Sequence, residues 1–149
     1  MLEIRGLSVS YGLHRALDDV ALQIAPGEIV VILGANGAGK TTLLNAIAGV
    51  VAASAASQIL LGGRSLRVVA LHEIVELGLS LVPEGRAIFG DLTVRENLLL
   101  GAYAHRARQS EREHLDQVLG LFPKLAERGA QTARTMSGGE QQIDRKSVV

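Results

Sequence analysis

In this chain of 149 residues, fifteen Lys plus Arg balance fifteen Asp plus Glu, so no net field draws it to nucleic acid or to an anionic lipid surface. Cysteine is absent, which excludes disulfides and thiolate metal sites. A 48% hydrophobic composition with only four aromatic residues suits close-packed strands and helices and excludes a disordered chain, and the length favours one domain.

The N-terminus, MLEIRGLSVSYG, has charges at positions 3 and 5 and no apolar core of signal-peptide length, so a cytosolic chain is expected. Alternation in Leu2, Ile4, Leu7 and Val9, broken by Gly6, predicts an edge-type strand closed by Tyr11-Gly12. A second strand fits Val20 to Ile24, ending at the Pro26-Gly27 turn. Glu28 to Leu33 is a continuous β-branched run, the pattern of a strand buried on both faces of a parallel sheet. Lys40 to Val50 reads as a helix with Leu43, Leu44, Ile47 and Ala48 on one face.

Thr41 to Gly63 is uncharged and long enough to cross a bilayer, but Asn45, Gln58 and many Ser, Thr, Gly and Ala make it a helix, a loop and a short strand, Ile59 to Leu61. Leu66 to Leu77 predicts a helix, and Leu79 to Val82 a buried strand stopped by Pro83. Val94 to Ala104 and Ser110 to Leu121 read as helices, the second capped by Ser110 with acidic residues in its first turn. His14, His72, His105 and His114 lack ligand spacing and read as surface side chains. The whole is an α/β domain with a helical insertion over roughly residues 90–130.

The strongest chemical signal is Gly34-Ala35-Asn36-Gly37-Ala38-Gly39-Lys40-Thr41, followed by Thr42, between an apolar run and a helix. It satisfies G-x-x-x-x-G-K-[ST] in the required context. Glycines let the backbone curl so that successive N–H groups face one concavity, and the helix that begins there adds its positive end. Lys40 supplies a point charge for the β- and γ-phosphates, and the Thr41 hydroxyl is a ligand for Mg²⁺. Nucleoside triphosphate binding follows, without separating kinases, GTPases, helicases and transporter motors.

Met136-Ser137-Gly138-Gly139-Glu140-Gln141-Gln142 discriminates among these. Ser137, Gly138 and Gly139 combine a hydroxyl with backbone N–H groups that no Cβ shields, just before an expected helix, a grouping suited to phosphate oxygens. With the phosphate loop, with Tyr11 ahead of it and with Val82-Pro83-Glu84 between, the sequence resembles the ATP-binding subunits of ABC transporters over Leu2 to Gln142. The signature LSGGEQQ carries Met136 in place of its leading Leu. The resemblance implies a P-loop NTPase core with a parallel sheet, an N-terminal antiparallel β subdomain and the helical insertion, binding ATP and Mg²⁺. It further implies that Tyr11 stacks on adenine and that Ser137, Gly138, Gly139 and Glu140 serve the nucleotide held by a second ATP-binding subunit in a head-to-tail dimer.

Glu84 occupies the position where the family usually has Gln near Mg²⁺ and the attacking water, keeping an oxygen ligand but adding charge. Val82-Pro-Glu-Gly-Arg, Phe89 and Leu92-Thr-Val-Arg-Glu-Asn-Leu98 resemble the subfamily that powers branched-chain amino acid importers. The partners so implied are transmembrane permease subunits, a periplasmic binding protein reached through them, and no nucleic acid, with the chain peripheral on the cytoplasmic face of the membrane. Residues 86–97 are a candidate grip on the permease. Alternatives are the ATPase of another ABC system (urea, other amino acids, lipid export), a non-transport ABC protein, or a P-loop kinase or GTPase. The guanine-reading Asn-Lys-x-Asp is not present.

Hydrolysis in this family needs an apolar run followed by Asp-Glu. None occurs: Asp18-Asp19 follows His-Arg-Ala-Leu and Asp116 lies in a charged stretch, so no catalytic base is present, and neither is the family's later histidine. Residues 1–142 thus read as a C-terminally truncated ATP-binding domain, expected to be inactive in hydrolysis. Residues 143–149 read as a non-native tail: Asp144 to Val149 is the in-frame translation of GATCGGAAGAGCGTCGTG, the start of a common sequencing adapter.

Overall fold

The N-terminal alternation builds a strand, but in the middle of a sheet. β1 (Leu2–Tyr11) pairs antiparallel with β2 (His14–Ile24) on one side and β3 (Gln58–Leu61) on the other, and β3 pairs with β4 (Arg64–Ser65). The order is β2-β1-β3-β4, so the predicted edge strand is central, because β3 returns to it from far along the chain. β2 begins at His14 rather than Val20, its extra length matched by the hairpin register Tyr11↔His14.

That register is interrupted three times. Between Ile4 and Leu7 the extra residue lies in β1, beside Gly6; between Leu7 and Val9 it lies in β2, where Asp19 takes a φ of 49°. Between Val9↔Leu17 and Ser10↔Arg15 the extra residue is Ala16, a bulge that bends its strand locally.

In this computed structural model, residues 1–84 and 88–136 are described, in two units, Met1–Leu81 and Val82–Val149. In the first, Ile4, Leu7 and Val9 of β1 pack with Leu17, Ile59, Leu66 and helix α1 (Lys40–Ile47) through Leu43, Ala46 and Ile47. Burying each large aliphatic side chain stabilises by roughly 1.5–3 kcal/mol. α1 stops short of the predicted Val50 because Gly49 turns to a φ of 77°, and a Cβ there would lie 2.8 Å from Ile74 Cδ1. Leu44, expected on the buried face, is exposed.

Two predicted buried strands are corrected. Residues 28–33 form no strand, and Ile29, Val31 and Leu33 are 91%, 72% and 87% exposed. A strand exists only where a neighbour takes its N–H and C=O groups, and no described strand runs beside this segment. Residues 79–82 likewise form no strand. The parallel sheet is therefore not formed among the described residues, and the sheet present is the antiparallel N-terminal one. The helix predicted for 66–77 shrinks to α2 (Leu71–Ile74) and a 3₁₀ turn, Val75–Leu77, because Leu66 N donates to Ile59 O at 2.9 Å and stays with the sheet.

The second unit is helical: α3 (Val94–Leu100), α4 (His105–Arg108), α5 (Glu111–Leu121), α6 (Pro123–Glu127) and a 3₁₀ turn, Ala133–Thr135. Thr93 and Glu96 form a reciprocal capping box that starts α3. α3 ends at Leu100 rather than Ala104, with Gly101 as its C-cap. Ser110 does precede α5, with Glu111 and Glu113 in the first turn, but its side chain makes no capping bond. Val94, Leu98, Leu125 and Met136 form this unit's core, covered by Leu115, Val118, Leu119 and Phe122. Among the described residues no helix is long and apolar enough to cross a membrane.

Candidate nucleotide site

The phosphate loop folds as the glycine spacing requires. Gly37 and Gly39 take φ of 85° and 83°, left-handed backbone that a Cβ disfavours, and Ala38 N donates to Ala35 O at 3.2 Å. Lys40 Nζ donates to Gly34 O at 2.8 Å and to Ala35 O at 2.7 Å, so the ammonium closes the loop whose amides it follows. Gly39 is the N-cap of α1 and brings no side-chain cap, and no acidic residue lies in the first turn. The positive end of the helix therefore has no local side-chain cap or carboxylate to offset it. No acidic residue occurs between Glu28 and Glu73, and Lys40 is the charged residue within the loop.

Gly39 also makes a close approach that no motif anticipates. A Cβ there would lie 2.7 Å from the Ala16 carbonyl oxygen and 2.8 Å from Leu17 Cδ2. The start of α1 therefore rests directly on the bulge of β2. Tyr11, at the tip of the same hairpin and paired with His14, is half exposed.

The donor set fits a magnesium nucleotide better than a protein-caged metal. Among the described residues no three His, Cys, Asp or Glu side chains cluster as a metal site. An ion at the loop would take the Thr41 hydroxyl and complete its oxygen shell from phosphate and water. Glu84 is exposed and belongs to the second unit, whereas the loop belongs to the first. Ser137, Gly138, Gly139 and Glu140 lie outside the described residues, as do residues 143–149.

The approach to Ser137 is described as far as Met136, and it is tied to the segment after Phe89. Arg134 N donates to Gly90 O at 3.1 Å, Ala133 N to Leu92 O at 2.9 Å and Val94 N to Gln131 O at 2.9 Å, while the Arg134 guanidinium pairs with Asp91 at 2.9 Å. Asn97, 3% exposed, accepts from Phe89 N at 2.9 Å and donates to Phe89 O and Thr93 O at 3.0 Å each. It holds the Phe89 backbone while the Phe89 ring stays 63% exposed. Sequence reading placed 86–97 as a surface and missed this clasp. Its trace was a lone amide beside the apolar Val94 and Leu98 on α3.

A glycine-rich loop closed by its own lysine at the start of a helix, backed by an antiparallel hairpin that carries an aromatic at its tip, defines part of a P-loop nucleotide-binding cassette. The chain belongs to the ABC transporter family, which it matches over residues 17–145. It is 43% identical to the high-affinity branched-chain amino acid transport ATP-binding protein BraG of Pseudomonas aeruginosa, over 96% of this chain and 60% of that one. It is 39% identical to the phosphonates import ATP-binding protein PhnC 2 of Cupriavidus necator, over 95% of this chain and 55% of that one. A solved ATP-binding subunit of an ABC transporter superposes with a TM-score of 0.84 at 27% identity, over 100% of this chain and 61% of that one. The chain thus spans about 60% of the length of BraG.

Proposed function

We propose that this chain is the nucleotide-binding part of the ATP-binding subunit of an importer whose cargo is branched-chain amino acids. The observation that carries the nucleotide assignment is the loop itself, with Lys40 on Gly34 O and Ala35 O and an uncapped helix start behind it. Lys40 and the amides from Gly34 to Thr42 hold the phosphates of ATP, the Thr41 hydroxyl takes Mg²⁺, and Tyr11 stacks on the base. Ser137, Gly138, Gly139 and Glu140 serve the nucleotide of a second ATP-binding subunit, packed head to tail.

Permease subunits on the cytoplasmic face of the membrane are the partners that the ATP-driven movement acts on, and a periplasmic binding protein delivers cargo to them. The cargo reading is supported by the identity to BraG and by Val82-Pro83-Glu84 and Leu92 to Leu98. The similarity to a phosphonate importer subunit supports a different cargo on the same engine. Because no apolar run is followed by Asp-Glu in these 149 residues, the chain binds ATP without turning it over.

Equilibrium binding of ATP with Mg²⁺ to the 149-residue chain tests the assignment. Lys40→Ala removes a charge-assisted donor and is expected to weaken binding by about tenfold to a hundredfold. Unchanged affinity in that variant overturns the reading.

A further inference from the structure

The β1–β2 ladder would be regular past Val9 were Ala16 not there. Val9 faces Leu17 and Ser10 faces Arg15, so Ala16 has no opposite residue in the ladder. A bulge re-aims the backbone around it, and here it brings the Ala16 carbonyl against Gly39. A Cβ at Gly39 would be 2.7 Å from that oxygen, closer than Cβ contacts allow, whereas at Gly37, with nearly the same φ, it would meet nothing within 4 Å. The two glycines share one backbone requirement and differ in one steric requirement, which comes from β2.

We infer that Ala16 is a positioning residue for the phosphate loop: its extra peptide unit sets where Gly39, and with it the start of α1, sits relative to Tyr11. Ala16 lies one ladder step from the Ser10↔Arg15 pair, and Tyr11↔His14 follows directly. The loop that grips phosphate and the ring at the hairpin tip are thereby parts of one rigid piece, and the contributions of the base end and the phosphate end of a ligand are coupled through the bulge. This coupling rests on the reading of the loop as a nucleotide site; the mechanical contact does not.

The test compares the whole chain with variants by amide hydrogen exchange and by binding of ATP and of inorganic triphosphate. Deleting Ala16 regularises the ladder. It is expected to speed exchange about tenfold at Ala38 and Leu43, whose amides bond within the loop and to Gly39 O, with Ile4 and Leu60 unchanged. Ala16→Gly keeps the extra peptide unit and restores protection. Should the deletion unfold the sheet, the glycine pair decides: Gly39→Ala perturbs both the loop and residues 15–17, while Gly37→Ala perturbs the loop alone.

In the parent chain Tyr11→Ala is expected to weaken ATP about tenfold and leave triphosphate unchanged; on the Gly39→Ala background it has no further effect. Equal exchange at residues 15–17 in the two glycine variants, or a full Tyr11 effect surviving Gly39→Ala, overturns the inference. A parent chain that binds neither ligand refutes the nucleotide reading, and the exchange comparison still decides the role of Ala16.

Discussion

β1 and the segment 28–33 are written in similar residues and end in opposite environments. Leu7 of β1 is 0% exposed and Leu33 is 87% exposed, although the second run is the more continuously apolar of the two. β1 has β2 and β3 beside it, and α1 covers its inner face. Residues 28–33 have no described strand beside them. Apolar periodicity states what a segment can bury; whether it does so depends on a partner that can lie anywhere in the chain.

Leu7→Ala strikes the partnered side of this contrast hardest. A fully buried leucine replaced by alanine costs about 2–5 kcal/mol, so this variant should lower the melting midpoint by many degrees in circular dichroism, while Leu33→Ala melts as the parent does. Equal losses would erase the contrast.

The second unit supplies an intermediate case, where the partner is three residues away. Thr93 N and Thr93 Oγ1 both donate to Glu96 Oε2 at 2.7 Å, and these backbone and side-chain bonds hold the Glu96 carboxyl below its ordinary value of 4.5. The sign follows from the direction: the carboxylate form is favoured by folding, so its contribution is complete above 4.5 and is lost as pH falls through the lower folded-state value. Glu96→Gln should therefore melt slightly below the parent at neutral pH, with the difference shrinking as the pH drops below 4.5. A gap that widens in acid would contradict the capping account.

The smallest change in stability falls on the unpartnered side. Val31→Lys places a charge in an exposed apolar segment of the kind that templates pairing between chains. Its melting midpoint should stay within about 2 °C of the parent, since surface substitutions away from packed features stay within about 0.5 kcal/mol. Its light scattering at high concentration should fall. A scattering signal identical to the parent's would mean that residues 28–33 do not drive association.

What could be read in advance follows the same division. The turn from Gly34 into α1 was legible because its glycines and Lys40 are contiguous and Lys40 bonds back to Gly34 O and Ala35 O, and α1 and α5 were legible because helical partners are three or four residues apart. The central place of β1 was not, since it depends on β3, and neither was the Ala16 bulge against Gly39. The predicted strands at 28–33 and 79–82 failed because the pattern describes burial and cannot name the neighbour. The clasp of Asn97 on Phe89 left only an isolated polar residue as its trace.

Lys40 carries a last implication. A free lysine side chain holds about 2 kcal/mol of rotamer entropy, and ordering it normally falls to the moment of association. Here two carbonyls of the same loop, Gly34 O and Ala35 O, already fix the ammonium. The disorder is surrendered during folding, so the charge has a fixed address before any encounter.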